Sequence, residues 1–181
     1  MLIRLSHQLI QSKPNSPECW ISQALCYEKR GDLKSAIKCL DKSIEIDERN
    51  VHALVFRGDL QTALKQYDEA ISSYKLAHLV SNDISIFKGL VKCYLQIPKY
   101  KDAFTAAKMA YKLYPNSAKS YILLGMIYTN QMDGKDRAKK EFNKAIELAT
   151  KDKDLESIEE AVLGIVDIDI KEQSYSHAIK L

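Results

Sequence analysis

The sequence predicts an all-α protein in which short helices stack as antiparallel pairs, and two observations support this prediction. The 181 residues include only 6 glycines and 4 prolines, and so few breakers favour helices joined by short turns. Similar strings also recur along the chain at a nearly constant interval. Hydrophobic residues make up 46% and charged residues 28%, a composition that is typical of a folded chain.

The recurring strings align on a single alanine, which allows the repeat period to be measured. Ala36, Ala70, Ala103 and Ala138 occupy the same place in four strings and are separated by 34, 33 and 35 residues. Ala178 follows after a longer interval of 40 residues. A second landmark precedes each aligned alanine by nine or ten residues, and its members are Tyr27, Gln61, Tyr94, Tyr128 and Asp169. A period of this length indicates a repeat of two short helices.

This pattern resembles the tetratricopeptide repeat, a 34-residue unit of two antiparallel helices, A and B. The first full copy carries Trp20, Ala24, Tyr27, Gly31 and Ala36 at its marker positions. Helices of about 12 to 14 residues are marginal alone in water, so stability has to come from stacking neighbouring repeats. The resemblance implies a right-handed α–α superhelix, with full repeats at 17–50, 51–83, 84–117 and 118–151 and partial repeats at 1–14 and 152–181.

Departures from the regular repeat lead to further expectations. The turn between helices A and B of the fourth repeat is one residue longer than its counterparts. The charged stretch Ala149–Ser157 is expected to lengthen a helix or to form a loop, without a domain boundary. Residues 1–13 match a B helix without its A partner, and residues 172–181 are expected to begin another B helix. Such ends suggest a fragment of a longer solenoid, whose exposed faces would favour self-association.

Charge and hydropathy exclude two classes of partner. The 27 basic and 24 acidic residues leave a formal charge of +3, which is too small to indicate nucleic-acid binding. No apolar run approaches the roughly 20 residues that a membrane-spanning helix needs. The N-terminal segment MLIRLSHQLIQSK is interrupted by polar residues and favours an amphipathic helix over a signal peptide. The expected partners are therefore proteins, with no nucleic acid and no membrane.

The residues that carry chemistry in enzymes and metal proteins show no recognisable arrangement. The four cysteines, Cys19, Cys26, Cys39 and Cys93, form no CxxC pair and match no zinc or disulfide spacing. As buried thiols they suit a reducing, intracellular compartment. The chain also lacks a phosphate-binding glycine loop, an HExxH zinc motif and a nucleophile elbow. We therefore expect no enzyme activity, no catalytic residue, no metal site and no cofactor.

The remaining candidate for function is the inner, concave surface, which the A helices line in this kind of repeat. The alignment places one set of A-helix side chains there, and several of them are apolar. They favour a groove for an extended or helical peptide, in which Lys88, Lys92 and Lys119 would attract an acidic segment. The alternative is that neighbouring helices cover these side chains. The predicted groove residues are Ile21, Leu25, Glu28, His52, Val55, Asp59, Lys88, Lys92, Lys119, Ile122 and Met126.

Among repeat proteins, the chain most resembles the C-terminal repeats of subunit seven of the anaphase-promoting complex, or cyclosome. The resemblance spans about residues 5–148 and is best in the helices GLVKCYL, YKDAFTAAKMAYKLYP and RAKKEFNKAIEL. It implies a non-catalytic scaffold of a ubiquitin ligase that acts in mitosis and the cell cycle, in the nucleus and cytoplasm. The implied partners are sister repeat subunits of the same assembly.

Two other assignments remain open. Co-chaperone repeat domains hold the acidic C-termini of chaperones with a lysine and an asparagine in the first repeat, where this chain has Ile21 and Leu25. That clamp is absent, although an adaptor of another chaperone, transport or ciliary assembly is an alternative. The less favoured alternative is the substrate-binding repeat region of a larger enzyme such as a sugar transferase.

Overall fold

A computed structural model describes residues 8, 10–131 and 133–179, with side chains described as far as Lys171. The expected helix at 1–14 lies largely outside the described residues. Within the described ranges there is no strand, and the prediction of an all-α fold is confirmed. The helices, labelled α1 to α9 in chain order, are Pro17–Glu28, Leu33–Ile46, Val51–Ala63, Tyr67–Val80, Ile84–Gln96, Tyr100–Leu113, Ala118–Thr129, Lys135–Asp152 and Leu155–Ile179.

The chain divides into two compact units, Met1–Ile97 and Pro98–Leu181, and each is a stack of helices. In the first unit, α1 packs on α2, α2 on α3, α3 on α4, and α5 on both α3 and α4. In the second unit, α6 packs on α7, α7 on α8, and α9 on both α7 and α8. The short connections leave no room for a crossover, so helices that follow one another within a unit run antiparallel.

Polar side chains and a proline define where the helices begin. Asp32 accepts a hydrogen bond from the Ser35 amide at 3.1 Å and so caps α2. Asn50 accepts one from the Ala53 amide at 3.0 Å and caps α3 in the same way. Each cap satisfies an N–H group that has no partner within the first turn of its helix. Pro17 occupies the first turn of α1, where its missing N–H costs nothing.

The turns between A and B helices place one residue at a positive φ angle. This residue lies five positions before the aligned alanine and is Gly31 at 78°, Lys65 at 61° and Asp133 at 59°. Pro98 holds the same place in the third repeat, where its ring excludes a positive φ. Glycine adopts this conformation without steric cost, whereas a lysine is strained there.

The aligned alanines lie in the centre of the packing. Ala36, Ala70, Ala103 and Ala138 each have an exposed fraction of 0%. A larger side chain at any of these places would push neighbouring helices apart, because protein interiors are close-packed. All four aligned alanines are therefore part of the packed core.

Two large aromatic rings fill the space between helices where glycines admit them. Tyr74 of α4 lies between Gly58 of α3 and Gly89 of α5, and a Cβ built on either glycine would come within 3.0 Å of its ring. Phe142 of α8 holds the same repeat position, four residues after the aligned alanine. The glycines that flank Phe142 at similarly short range are Gly125 of α7 and Gly164 of α9.

The charged stretch at 149–157 both lengthens a helix and forms a short turn. Helix α8 continues for 18 residues to Asp152 and ends where Lys153 adopts a φ of 58°. Asp154 then accepts hydrogen bonds from the amide of Ser157 at 3.1 Å and from its hydroxyl at 2.7 Å. These bonds cap the start of α9.

Helix α9 contradicts the expectation of a new B helix at 172–181. It runs without interruption from Leu155 to Ile179. The chain from Ile165 to Ile179 contains no glycine, proline or asparagine, so nothing in it ends a helix. The repeat period alone suggested a turn, but the local sequence does not supply one.

Candidate partner-binding surface

The predicted groove residues of the first unit lie on α1, α3 and α5, and they differ in exposure. Leu25 is 45% exposed, so this large apolar side chain leaves much of its surface in water. The charged and polar residues His52, Asp59 and Lys92 are also exposed. The half-buried members of the set are Ile21, Glu28, Val55 and Lys88. The A helices of this unit therefore present apolar and charged groups together.

Charged side chains from three helices act on one another around Asp59. Desolvation by the packed helices raises the pKa of Asp59 above its ordinary value. A hydrogen bond from Tyr74 and the positive charges of Lys92 and Lys88 lower this pKa, while the carboxylate of Glu28 raises it. The structure thus brings together four of the predicted residues, two acidic and two basic, from α1, α3 and α5.

Tyr74 of α4 holds the Asp59 carboxylate of α3 in place by a hydrogen bond. Its hydroxyl donates a hydrogen bond of 2.6 Å to Asp59 Oδ1. Burial, together with this hydrogen bond, raises the pKa of Tyr74, so the hydroxyl stays protonated and remains a donor. Thr62 Oγ1 lies 3.5 Å from the same hydroxyl and donates at 2.8 Å to the Gly58 carbonyl. A carboxylate fixed in this way is a preorganised acceptor for a partner's donor.

Tyr74 was absent from the residues predicted at this surface. Its ring is 1% exposed and belongs to the packing between helices, which explains the omission. The available signal was the adjacent pair Gly58 and Asp59. A glycine admits the ring, and the next residue in the chain is placed to accept a hydrogen bond from its hydroxyl.

In the second unit, the prediction that Ile122 lines a groove is wrong. Ile122 is 1% exposed and lies in a core cluster with Ala118 and Phe142. The alternative that neighbouring helices cover the predicted side chains therefore holds for Ile122. Met126 is half-buried and packs against the same cluster. Lys119 is half-buried, and its charge contributes to a lowered pKa of Asp154, after the hydrogen bonds from Ser157.

The burial of Ile122 follows from its place in the repeat. It lies nineteen residues after the aligned alanine, the position that holds Gly89 in the preceding repeat. The position of Tyr74 is taken by Ala107 in the repeat that precedes Ile122, as Tyr74 itself precedes Gly89. The bulky residue of the pair is therefore on the A helix here and on the B helix one repeat earlier. The sequence thus places the bulk on the A helix at this pair of positions, and the structure buries it, since Ile122 is 1% exposed.

The described residues offer little reactive chemistry. No group of three or more His, Cys, Asp or Glu side chains that could hold a metal ion occurs among them. In the same part of the chain, no helix is long and apolar enough to span a membrane. Cys19, Cys39 and Cys93 are buried thiols and Cys26 is half-buried. Desolvation raises the pKa of Cys39 to about 11, so this thiol is not a nucleophile at neutral pH.

Two family descriptions match the chain, one in each compact unit. The family "Anaphase-promoting complex, cyclosome, subunit 3" matches residues 3–77, and the tetratricopeptide repeat family matches residues 118–152. Both matches fall on antiparallel helix pairs with buried aligned alanines. The chain is a tetratricopeptide-repeat protein.

This tetratricopeptide-repeat protein is similar to curated relatives that are parts of protein assemblies. It is 30% identical over 148 residues to anaphase-promoting complex subunit 7 of Dictyostelium discoideum, covering 82% of this chain and 26% of that protein. It is 28% identical over 147 residues to subunit 7 of Arabidopsis thaliana, covering 81% and 26%. Hsp70-Hsp90 organizing protein 2 of Arabidopsis thaliana is 29% identical over 99 residues, covering 54% and 17%. The chain spans about a quarter of the length of the subunit 7 relatives.

Solved structures share the fold of this tetratricopeptide-repeat protein. The APC/C hetero-tetramer Cut9-Hcn1 matches with a TM-score of 0.78 and 20% identity, covering 99% of this chain and 34% of that chain. MamA matches with a TM-score of 0.72 and 22% identity, covering 84% and 89%. These matches confirm a tetratricopeptide-repeat solenoid fold. The relatives and the fold together support a role as a protein-binding scaffold.

Proposed function

We propose that this tetratricopeptide-repeat protein is a non-catalytic scaffold subunit of an anaphase-promoting complex, acting in mitosis and cell-cycle control in the nucleus and cytoplasm. The observation that carries the proposal is the similarity to subunit 7 of two distant species over about four fifths of the chain. The subunit 3 family match at residues 3–77 points to the same assembly. The partners in this proposal are sister repeat subunits or a peptide segment of another subunit.

The proposed contact surface is the A-helix surface of the first unit. Leu25, Ile21 and Val55 would supply apolar contact to a peptide segment of the partner. Lys92 is exposed beside this set and would favour an acidic residue on the segment. The Asp59 carboxylate, held by Tyr74 at 2.6 Å, would accept a hydrogen bond from it. The surface therefore suits a short segment with an apolar anchor and mixed charge.

Affinity purification tests the assembly. The full-length protein would be purified from dividing cells and the co-purifying proteins identified by mass spectrometry. Recovery of cullin-type and RING-type ligase subunits together with other repeat subunits is the expected result. Consistent recovery of chaperones or transport components without ligase subunits would refute the proposed assembly and leave the repeat fold unaffected.

Two sets of variants test the surface. Leu25→Glu and the pair Lys88→Glu/Lys92→Glu should each reduce recovery of the ligase subunits, because they remove the apolar anchor or reverse the charge beside Asp59. A matched control reverses exposed lysines on α6, as Lys108→Glu/Lys112→Glu. The control should leave recovery unchanged. Equal losses in the control and the test variants would contradict a specific surface on the A helices.

A co-chaperone adaptor is a second candidate, favoured by the similarity to Hsp70-Hsp90 organizing protein 2 over 99 residues. Against it, Ile21 and Leu25 occupy the places where co-chaperone domains carry polar clamp residues. Titration calorimetry with an acidic peptide from the C-terminus of a chaperone separates the two candidates. We expect no measurable binding, and micromolar binding that Lys88→Glu abolishes would favour the adaptor.

A further inference from the structure

A groove on the B-helix side of the first unit is separate from the surface described above. It encloses about 700 Å³ and lies between α2 and α4, with α3 as its floor. Helix α4 forms one wall with Leu76, Leu79 and Val80. These three side chains are 45%, 80% and 36% exposed, so an apolar wall stands open to water. An exposed apolar wall beside a groove is a common mark of a binding site.

The other repeats provide an internal comparison for this wall. The position of Leu79, nine residues after the aligned alanine, holds Glu45, Lys112 and Glu147 in the other three repeats, and all three side chains are exposed. The fold therefore accepts a charged residue at this place and gains nothing from a leucine that is 80% exposed. The position of Leu76 is likewise a lysine in two repeats, at Lys42 and Lys144. Packing within the chain does not explain the leucines.

The opposite wall of the groove carries more acidic than basic side chains, with three carboxylates and Arg49. Asp41 and Glu45 lie four residues apart on one face of α2, and Glu48 and Arg49 follow in the turn after the helix ends at Ile46. Arg57, on the floor, is committed within the unit, since it donates to Asp41 at 3.0 Å and to the Ser73 hydroxyl at 3.0 Å. Glu45 pairs with the exposed Lys42, a contact of small energetic value that a partner can replace.

The two walls together restrict the chemistry of an occupant. The apolar wall offers no hydrogen-bonding groups, so an extended segment would bury unpaired backbone groups against it at a considerable cost. A helix satisfies its own backbone and can face Leu76 and Leu79 with apolar side chains at helical spacing. On α2 the acidic side chains Asp41 and Glu45 are about one helical turn apart, or about 6 Å along the axis. Basic side chains on one flank of the occupant would lie against these carboxylates.

We propose that this groove binds an amphipathic helix of a partner protein, with leucine-type residues toward α4 and lysine or arginine toward α2. The inference does not depend on which assembly the protein joins, because it uses a different surface. It assigns Leu76 and Leu79 to binding and not to stability. It also predicts that Leu79→Glu, which copies the charged residue of two sister repeats, folds as well as the original chain.

Fluorescence anisotropy with a designed peptide tests the proposal. The probe is an 18-residue amphipathic helix with leucines on one face and lysines on the flank, and the comparison peptide carries glutamates in place of the lysines. The 181-residue chain should bind the lysine peptide at least about tenfold more tightly than the glutamate peptide. Leu79→Glu should weaken binding of the lysine peptide by about tenfold, from the loss of a buried leucine contact. Met109→Glu, at the position equivalent to Leu76 on α6, is the matched control and should bind normally.

Each result decides for or against the groove. Circular dichroism and melting temperature of Leu79→Glu should match those of the original chain, and a large loss of stability would show that Leu79 serves packing. Equal weakening by Leu79→Glu and Met109→Glu would mean non-specific adsorption and would overturn the proposal. Sedimentation tests for self-association through the groove. If the chain self-associates and Leu79→Glu alone makes it monomeric, the occupant is a second copy of the chain and the proposed partner helix is overturned. Absence of any peptide binding would also overturn it.

Discussion

Replacing Gly89 by alanine tests whether the Tyr74 ring is locked between helices in the first unit. The new Cβ would lie well inside 3.0 Å of several atoms of the Tyr74 ring, where ordinary contacts begin near 3.4 Å. The Tyr74 ring cannot move toward α3, because it already lies close against Gly58. A Cβ on Gly58 would be only 2.8 Å from the ring. The Tyr74 hydroxyl is also held by Asp59 at 2.6 Å. The substitution therefore forces α5 away from α4 or expels the ring.

The expected magnitude is a balance of two effects. Overpacking of a core in this way costs about 1–3 kcal/mol. A glycine replaced by alanine inside a helix gains about 1 kcal/mol from helix propensity. We expect a net destabilisation of about 1 kcal/mol for Gly89→Ala. The same substitution at a helical glycine with free space around it would stabilise the protein by a similar amount. The sign of the change is therefore more informative than its size.

A compensating variant separates overpacking from other causes. Tyr74→Leu places at this position the side chain that Leu40 has in the preceding repeat, where it is fully buried. In that background Gly89→Ala should be neutral or stabilising by up to about 1 kcal/mol, which gives a coupling energy of about 1–2 kcal/mol. Urea unfolding measures the free energies, and amide hydrogen exchange assigns the changes to α3, α4 and α5. Stabilisation by Gly89→Ala in both backgrounds would refute the idea of a locked ring.

Three further variants test other parts of the fold. Lys65→Gly should stabilise the first unit by about 0.5–1 kcal/mol, because it relieves a strained positive φ; a lower melting temperature would contradict this. Phe142→Ala should destabilise the second unit by about 3–5 kcal/mol in urea unfolding, and a loss under 1 kcal/mol would show that its glycine-lined site collapses freely. Hydrogen bonds from Ser157 lower the pKa of Asp154 below 3.8, so the folded chain should lose stability as pH falls from 3.8 through the lower value. Asp154→Asn should flatten the plot of melting temperature against pH in this acidic range. An unchanged slope would contradict the role given to Asp154.

The repeat and its core could be predicted because they depend on spacing within the chain. The interval between Ala36, Ala70, Ala103 and Ala138 required the same helix pair to recur, and all four alanines are buried. The same reasoning failed at residues 172–181. A period says where a turn would restore the register, but a helix ends only where the local sequence supplies a breaker, and α9 has none between Ile165 and Ile179.

The candidate surface was only partly predictable, because exposure depends on which neighbour is large. Counting along the A helices correctly marked Leu25 as an exposed apolar side chain, at 45%. The same count marked Ile122, which is 1% exposed. It also omitted Tyr74, whose hydroxyl reaches Asp59 from a neighbouring helix. Contacts between helices are set by pairs of residues far apart in sequence, and a single-helix pattern does not contain them.

The pairing of volumes between helices explains both the error and the omission. The position four residues after the aligned alanine holds Leu40, Tyr74 and Ala107 in successive repeats. The position nineteen residues after the same alanine lies on the next A helix and holds Val55, Gly89 and Ile122. Across these three pairs a smaller residue at one position goes with a larger one at the other, and the bulk moves from the B helix at Tyr74 to the A helix at Ile122. Where the bulk is on the B helix, a polar tip such as the buried Tyr74 hydroxyl can reach an A-helix residue of the surface, here Asp59. Where it is on the A helix, as at Ile122, that position serves the core and is lost to binding.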